Sequence, residues 1–198
     1  MSARAWLVDL DGTLYHALPV KLAVAAELAL FGRAVVRELR AFRREHERLR
    51  VEQPDGVGDA FALQLERTAR ACGVAPAALE PAVREWMLER PGRWLALARR
   101  RRLLAELAQF RRSGGLAALV SDYPARAKLR ALGAEALFDA VVAAGEPGGP
   151  GRFKPAPHGL LLAAAKLGVA PSACLVIGDR DDADGEAARR AGMAFRRV

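Results

Sequence analysis

Two aspartates one residue apart, Asp9 and Asp11, follow the apolar run Trp6 to Val8, and Gly12 then allows the backbone a sharp turn. The run is too short for a comfortable helix and reads as a strand that delivers carboxylates to a sheet edge. On an open α/β sheet, ligands gather at the carboxyl ends of the strands, so both acids stand where chemistry is usually done. Carboxylates this close repel each other unless a cation or a shared proton lies between them. Magnesium, a hard ion that takes oxygen ligands and bridges protein to phosphate, meets that need.

Further candidates lie downstream. Ser121 ends the apolar run Leu116 to Val120, Lys154 lies within Phe153 to Pro157, and Asp179 follows Leu175 to Gly178. Singly, each has an ordinary explanation as a helix cap, a surface cation or a turn. Their order after the first stretch changes that weight. Asp9-Leu10-Asp11-Gly12-Thr13-Leu14 resembles the first motif of the haloacid dehalogenase superfamily in its phosphatase form. Ser121, Lys154 and Asp179 resemble its second, third and fourth motifs, and together they span nearly the whole chain.

The resemblance implies a magnesium-dependent hydrolase of phosphomonoesters, acting on a small phosphorylated metabolite. Asp9 would attack phosphorus to form an aspartyl-phosphate, and Asp11 would protonate the leaving alcohol and then activate water. Lys154 would neutralise charge on nucleophile and phosphate, while Thr13, Ser121 and N–H groups near Asp122 would hold the phosphoryl oxygens. The Mg2+ would be held by Asp179, a carboxylate oxygen of Asp9 and the backbone carbonyl of Asp11. The fourth motif departs from the common pattern, because the position four residues after its aspartate is Ala183. Asp184 matches another version and is the expected outer partner of the metal, with Asp182 next and Asp181 a third candidate. Each also has a plain reading as an acid favoured by a helix N-terminus.

Asp11 favours phosphate-ester hydrolysis over dehalogenation, since a halide leaves without a proton and the superfamily's dehalogenases generally lack this second aspartate. A phosphonate-cleaving Schiff base would fall to Lys21, the one lysine of the inserted segment. A phosphomutase shares both aspartates and competes with the hydrolase within the superfamily. A nucleotide or nucleic-acid-end phosphatase and a non-catalytic basic binding module on the same fold compete with it too.

The elements that must position these residues follow from periodicity. Val20 to Phe31 is apolar nearly all round and stops at Gly32. Val35, Val36, Leu39, Phe42, His46 and Leu49 then form one stripe, with Arg40, Arg43, Arg44 and Arg48 largely off it. Pro54 to Gly58 breaks that pattern, Phe61 to Cys72 marks a third helix ending at Gly73, and Val83, Trp86 and Met87 mark a fourth before Pro91. An all-helical insertion over residues 16–93 resembles the superfamily's helical cap, leaving 1–15 and 94–198 as the core.

In the core, Leu97, Leu103, Leu104, Leu107 and Phe110 predict one helix closed by Ser113 to Gly115, with the arginines at 99–102 as its solvated face. Strands are predicted at Leu116 to Val120, Ala140 to Ala144, Ala173 to Ile177 and Ala194 to Val198, with helices ending at Leu132 and Leu167 between them. This alternation predicts an α/β fold, a doubly wound parallel sheet with a Rossmann-like core. Pro124 suits the first turn of the helix after Ser121, where the hydroxyl and backbone N–H groups suit a phosphate oxygen. His158 reads as helix surface or packing.

At 198 residues and 52% hydrophobic, the chain has material for a proper core, which argues against disorder. The net charge of +8 comes almost wholly from arginine, since lysine occurs only at positions 21, 128, 154 and 166. A positive field attracts anionic ligands. No nucleic-acid recognition motif accompanies it, so a solvated basic surface is favoured over nucleic-acid binding. Arg33, Arg43, Arg44, Arg48 and Arg50 are candidates to meet a second anionic group on the substrate. Cys72 and Cys174 read as reduced, buried thiols of a cytoplasmic protein. Leu18 to Phe31 is interrupted by Lys21 and Glu27 and is too short to cross a bilayer, and acids by Asp9 precede any secretory h-region. No membrane partner is expected, and the oligomeric state has no signal in the sequence.

Overall fold

The computed structural model describes residues 3–53 and 58–198; apart from Gly58, the expected break at Pro54 to Gly58 lies outside the described residues. Strands β1 (Ala5–Val8), β2 (Leu116–Ser121), β3 (Ala140–Ala143), β4 (Cys174–Gly178) and β5 (Ala194–Arg197) form one sheet in the order β3-β2-β1-β4-β5. Every pairing is parallel, and Val8 lies level with Leu119 on one side and Ile177 on the other. Side chains alternate across this sheet. Val8, Leu119 and Ile177 enter one hydrophobic cluster, and Leu7, Ala118 and Val176 enter a second on the other face. Both faces are therefore buried, which explains why the strands read as nearly continuous apolar runs.

Helices α6 (Arg101–Arg112) and α7 (Arg126–Leu132) cover the first face through Leu103, Leu107, Leu129 and Leu132. Helices α8 (His158–Leu167) and α9 (Glu186–Arg190) cover the second through Leu160, Ala163, Ala187 and Ala188. The chain builds outward from β1 to β3 and then returns to the far side of β1 as β4. That reversal opens a crevice above the carboxyl ends of β1 and β4, the place where such sheets bind ligands.

Between β1 and β2 the chain is helical: α1 (Ala17–Phe31), α2 (Val36–Glu52), α3 (Ala60–Cys72), α4 (Pro76–Val83), a π-helical turn at Arg84–Glu89, and α5 (Gly92–Ala98). This segment has its own core, with Phe42, Phe61, Leu79, Val83 and Trp86 buried together, and reaches the sheet layer through Ala144 and Phe153. Asp59 caps α3 by accepting from the N–H groups of Phe61 and Ala62, and also accepts from Gly145 N, which ties the segment to the loop after β3.

The structure corrects several expectations. The single helix expected from Leu97 to Phe110 is two, α5 and α6, separated at Arg99 and Arg100. The chain crosses back to the sheet here: Tyr15 and Arg99 form an antiparallel bridge, His16 N donates to Ala98 O at 2.8 Å, and Arg100 N donates to Leu14 O at 2.9 Å. Leu97 therefore leaves the expected stripe and is 82% exposed. Arg99 and Arg100 are half-buried rather than solvated, because their guanidinium groups donate to the carbonyls of Ala131 and Gly12. Pro124 precedes α7 instead of entering its first turn, with Ala125 at the cap position. Cys174 is buried, but Cys72 is only half-buried. No helix among the described residues is long and apolar enough to cross a membrane.

Candidate active site

The strand β1 ends one residue before Asp9, whose N–H donates to Ile177 O of β4. The next turn is made by Gly12, at φ +94°, where a Cβ would lie 2.2 Å from Asp179 Oδ2. Only glycine allows the turn after β1 and the aspartate after β4 to come this close. Gly178 has the same function toward Asp184, whose carboxyl carbon would lie 2.4 Å from an added Cβ.

Asp9, Asp179 and Asp184 each offer a carboxylate oxygen within 4.8 Å of the others. Lys154 joins two of them, its Nζ at 2.5 Å from Asp9 Oδ1 and 2.7 Å from Asp184 Oδ1. Its backbone is fixed as well, since Lys154 N donates to Asp122 Oδ1 and its carbonyl accepts from Arg50 Nε at 2.7 Å. Burial and the charge of Asp184 push the Asp9 carboxyl up to about 7 against the pull of Lys154. Burial and the same neighbour raise Asp179. Burial alone would lower the Lys154 ammonium, but Asp184 and Asp9 outweigh it and hold Lys154 well above its ordinary value. Three hard oxygen donors gathered around so little positive charge fit a divalent cation such as Mg2+. Asp181 and Asp182 stand apart: both are exposed, Asp181 paired with Arg189 and Asp182 with Arg180.

Asp11 has different company. Lys128 Nζ donates to its Oδ1 at 2.6 Å, and the Tyr15 hydroxyl donates to the same oxygen. Burial would raise this carboxyl, but Lys128 and Tyr15 outweigh it and hold Asp11 below the ordinary carboxylate range. Its carboxylate is not among the three grouped acids. Neither Lys128 nor Tyr15 is singled out by the sequence patterns; Lys128, in the first turn of α7, is one of the four lysines of the chain, which is the signal available in the sequence.

The expected phosphoryl contacts are redistributed. Thr13 is fully buried and donates its hydroxyl to Asp9 Oδ2 at 2.8 Å, so it orients a carboxylate instead of facing the cavity. The N–H groups of Ala125 and Arg126 at the start of α7 donate to Glu146 Oε1, and Tyr123 N donates to Ser121 Oγ. The start of α7 is therefore occupied by a carboxylate of the chain itself. Ser121 and Asp122 do line a cavity of about 120 Å³, together with Asp9, Lys154, Asp179 and Asp184.

Helix α2 adds two residues to this cavity, His46 and Arg50, one turn apart. His46 stacks on Tyr123 at 4.7 Å and lies 4.4 Å from the Phe153 ring, with Nε2 at 3.6 Å from Asp122 Oδ2. Burial lowers its pKa against the pull of Asp122. A histidine on an otherwise apolar helix stripe is the sequence signal for it. Of the arginines weighed for a second anionic group, Arg50 is buried at the site, Arg43 is exposed and lines a larger cleft, and Arg33, Arg44 and Arg48 are exposed elsewhere. That cleft, of about 510 Å³, opens between α1, α2 and the strand ends. His158 lies exposed at the start of α8.

The family model for haloacid dehalogenase-like hydrolases matches residues 3–192. Among solved structures, L-2-haloacid dehalogenase from Xanthobacter autotrophicus, with chloropropionic acid covalently bound, superposes with a TM-score of 0.66 at 22% identity, over 99% of this chain and 77% of that one. CbbY from Rhodobacter sphaeroides, in complex with phosphate, gives 0.61 at 22% identity, over 98% and 84%. A HAD phosphatase from Thermococcus onnurineus gives 0.60 at 17% identity, over 100% and 86%. At these identities the likeness is one of fold. No curated protein matches the chain in sequence. With a family model spanning nearly its whole length and the same fold in these neighbours, the chain belongs to the haloacid dehalogenase-like hydrolases.

Proposed function

We propose that the chain is a magnesium-dependent phosphomonoester hydrolase working through an aspartyl-phosphate on Asp9. The observation that carries this reading is Asp11, a second carboxylate poised beside the nucleophile at the junction of the two cavities. A departing alcohol needs a proton, whereas a departing halide does not.

Asp9 is the nucleophile, oriented by Thr13 and Lys154. Its carboxylate oxygen attacks phosphorus as the ester P–O bond breaks, and water later hydrolyses the acyl phosphate to return the free carboxylate. Lys154 offsets charge on Asp9 and on the phosphoryl oxygens, and Ser121 donates its hydroxyl to one of them. Asp9, Asp179 and Asp184 would hold the Mg2+, which supplies charge neutralisation on the phosphoryl oxygens when bound.

Asp11 requires a refinement of its role. Its surroundings favour the carboxylate, which suits the base that activates water. For the first half of the reaction the proton for the leaving oxygen comes from Asp11 and Lys128 acting as one unit, with the Lys128 ammonium restoring what Asp11 gives up. The helical segment, residues 16–93, serves as a cap whose α2 brings His46 and Arg50 to the phosphoryl cavity.

The test is product release with and without magnesium for the native protein beside Asp9→Asn. Phosphate release from phosphomonoesters that needs the ion and vanishes in the variant is the expected outcome. Chloride release from 2-chloropropionate in place of phosphate release would overturn the reading in favour of dehalogenation.

A further inference from the structure

We propose that the organic part of the substrate lies in the larger cleft and is apolar, an alkyl or aryl phosphomonoester instead of a phosphorylated polyol. This deepens the phosphomonoester reading and rests on it. The cleft is continuous with the phosphoryl cavity, since Asp11, His46, Tyr123, Asp179 and Arg180 line both. A phosphate held between Asp9 and Lys154 therefore directs its ester group into the cleft, whose size of about 510 Å³ suits a small organic group.

The lining decides what that group is. Most of its area is apolar. Helix α1 presents Val20, Val24 and Leu28, each one turn beyond the last, and Leu39, Trp86 and Met87 contribute from α2 and the π-helical turn. Most of the charged groups are engaged by other side chains or exposed. At the sheet edge Asp11 is engaged by Tyr15 and Lys128, and Arg180 by Asp182 and Glu47. Lys21, Arg40 and Arg43 are exposed. The apolar wall offers the hydroxyls of a sugar few partners, and a polar group moved out of water without one is penalised. A hydrocarbon asks only to leave water, and each methylene that does so is worth about a fourfold gain in binding. Lys21, Arg40 and Arg43 would draw an anionic ester toward the cleft before it enters.

Ethyl, hexyl and glycerol phosphates discriminate directly, because all are esters of primary alcohols and differ mainly in what fills the cleft. With the full chain and magnesium, kcat/KM for hexyl phosphate is expected to exceed that for ethyl phosphate by about tenfold or more, and Met87→Gln should cut that ratio by about threefold or more. Equal values, or a preference for glycerol phosphate, would overturn the inference while leaving the hydrolase reading intact. Should none of the esters be hydrolysed, the hydrolase reading fails, and calorimetric binding of hexylphosphonate against ethylphosphonate decides the inference alone. Binding about tenfold tighter for the longer chain supports it, and equal binding overturns it.

Discussion

At the carboxyl edge of the sheet Lys154 is held at its ammonium by Asp9 and Asp184, at its N–H by Asp122 and at its carbonyl by Arg50. In the lining of the larger cleft the exposed Lys21, Arg40 and Arg43 have neither ion pair nor hydrogen bond among the described residues. Reacting groups need fixed distances, so the sheet edge determines each side chain from several directions. The helical wall holds an organic group by removing it from water, which demands shape and hydrophobicity but little angular precision. Chemistry and selectivity thereby fall to different parts of the chain, one held by several polar contacts and one by few.

If the sheet edge is overdetermined, small changes there should have large effects. Gly12→Ala is the severest, since its Cβ would meet Asp179 Oδ2 at 2.2 Å and the residue sits at φ +94°. Steady-state assays should show turnover reduced by about 100-fold or more, with weaker magnesium dependence, because Asp179 is displaced. Next comes Lys128→Met, expected to lower kcat by about 10–100-fold. Losing the Lys128 charge also lifts Asp11 toward the ordinary carboxylate range, so the acid limb of the pH–rate profile should move to higher pH. An unshifted limb would remove Lys128 from proton transfer.

Arg50→Met tests the link between the two regions. It leaves the Lys154 carbonyl without its donor, a loss of about 1–3 kcal/mol, seen as a lower melting temperature. The smallest effect is one of sign. Asp9 is held up to about 7, so the folded protein keeps a proton there that the unfolded chain has released, and stability falls as pH rises from the ordinary carboxylate range through about 7. Without divalent ions, Asp9→Asn should therefore melt above the native protein at about pH 8, the gap narrowing as pH falls and closing only in the ordinary carboxylate range.

The same contrast governs what can be read from the sequence. Strands flanked by helices on both faces must be continuous apolar runs, and each of three ends at or beside a polar residue whose place in order along the chain, more than its type, makes Asp9, Ser121 and Asp179 stand out. Glycine stops at Gly32, Gly73, Gly133 and Gly168 mark the helix ends for the same local reason. What stays hidden depends on how distant elements meet. Tyr15 looks like a continuation of the apolar run, Lys128 like a surface lysine, and Arg50 like one arginine among many. The break between α5 and α6 is set by pairing of Arg99 with Tyr15, a residue far back in the chain, and no local pattern announces it.

The central claim is that Asp9 becomes phosphorylated. Rapid acid quench of the protein mixed with magnesium and a hydrolysed phosphomonoester, followed by peptide mass spectrometry, tests it directly. A phosphoryl group on the peptide carrying Asp9, absent in Asp9→Asn and, with an aryl ester whose leaving group needs no proton, accumulating when Asp11→Asn slows attack by water, is the predicted result. Phosphate release with no phosphoryl group on Asp9 under any quench, or with the group on His46, would contradict the account.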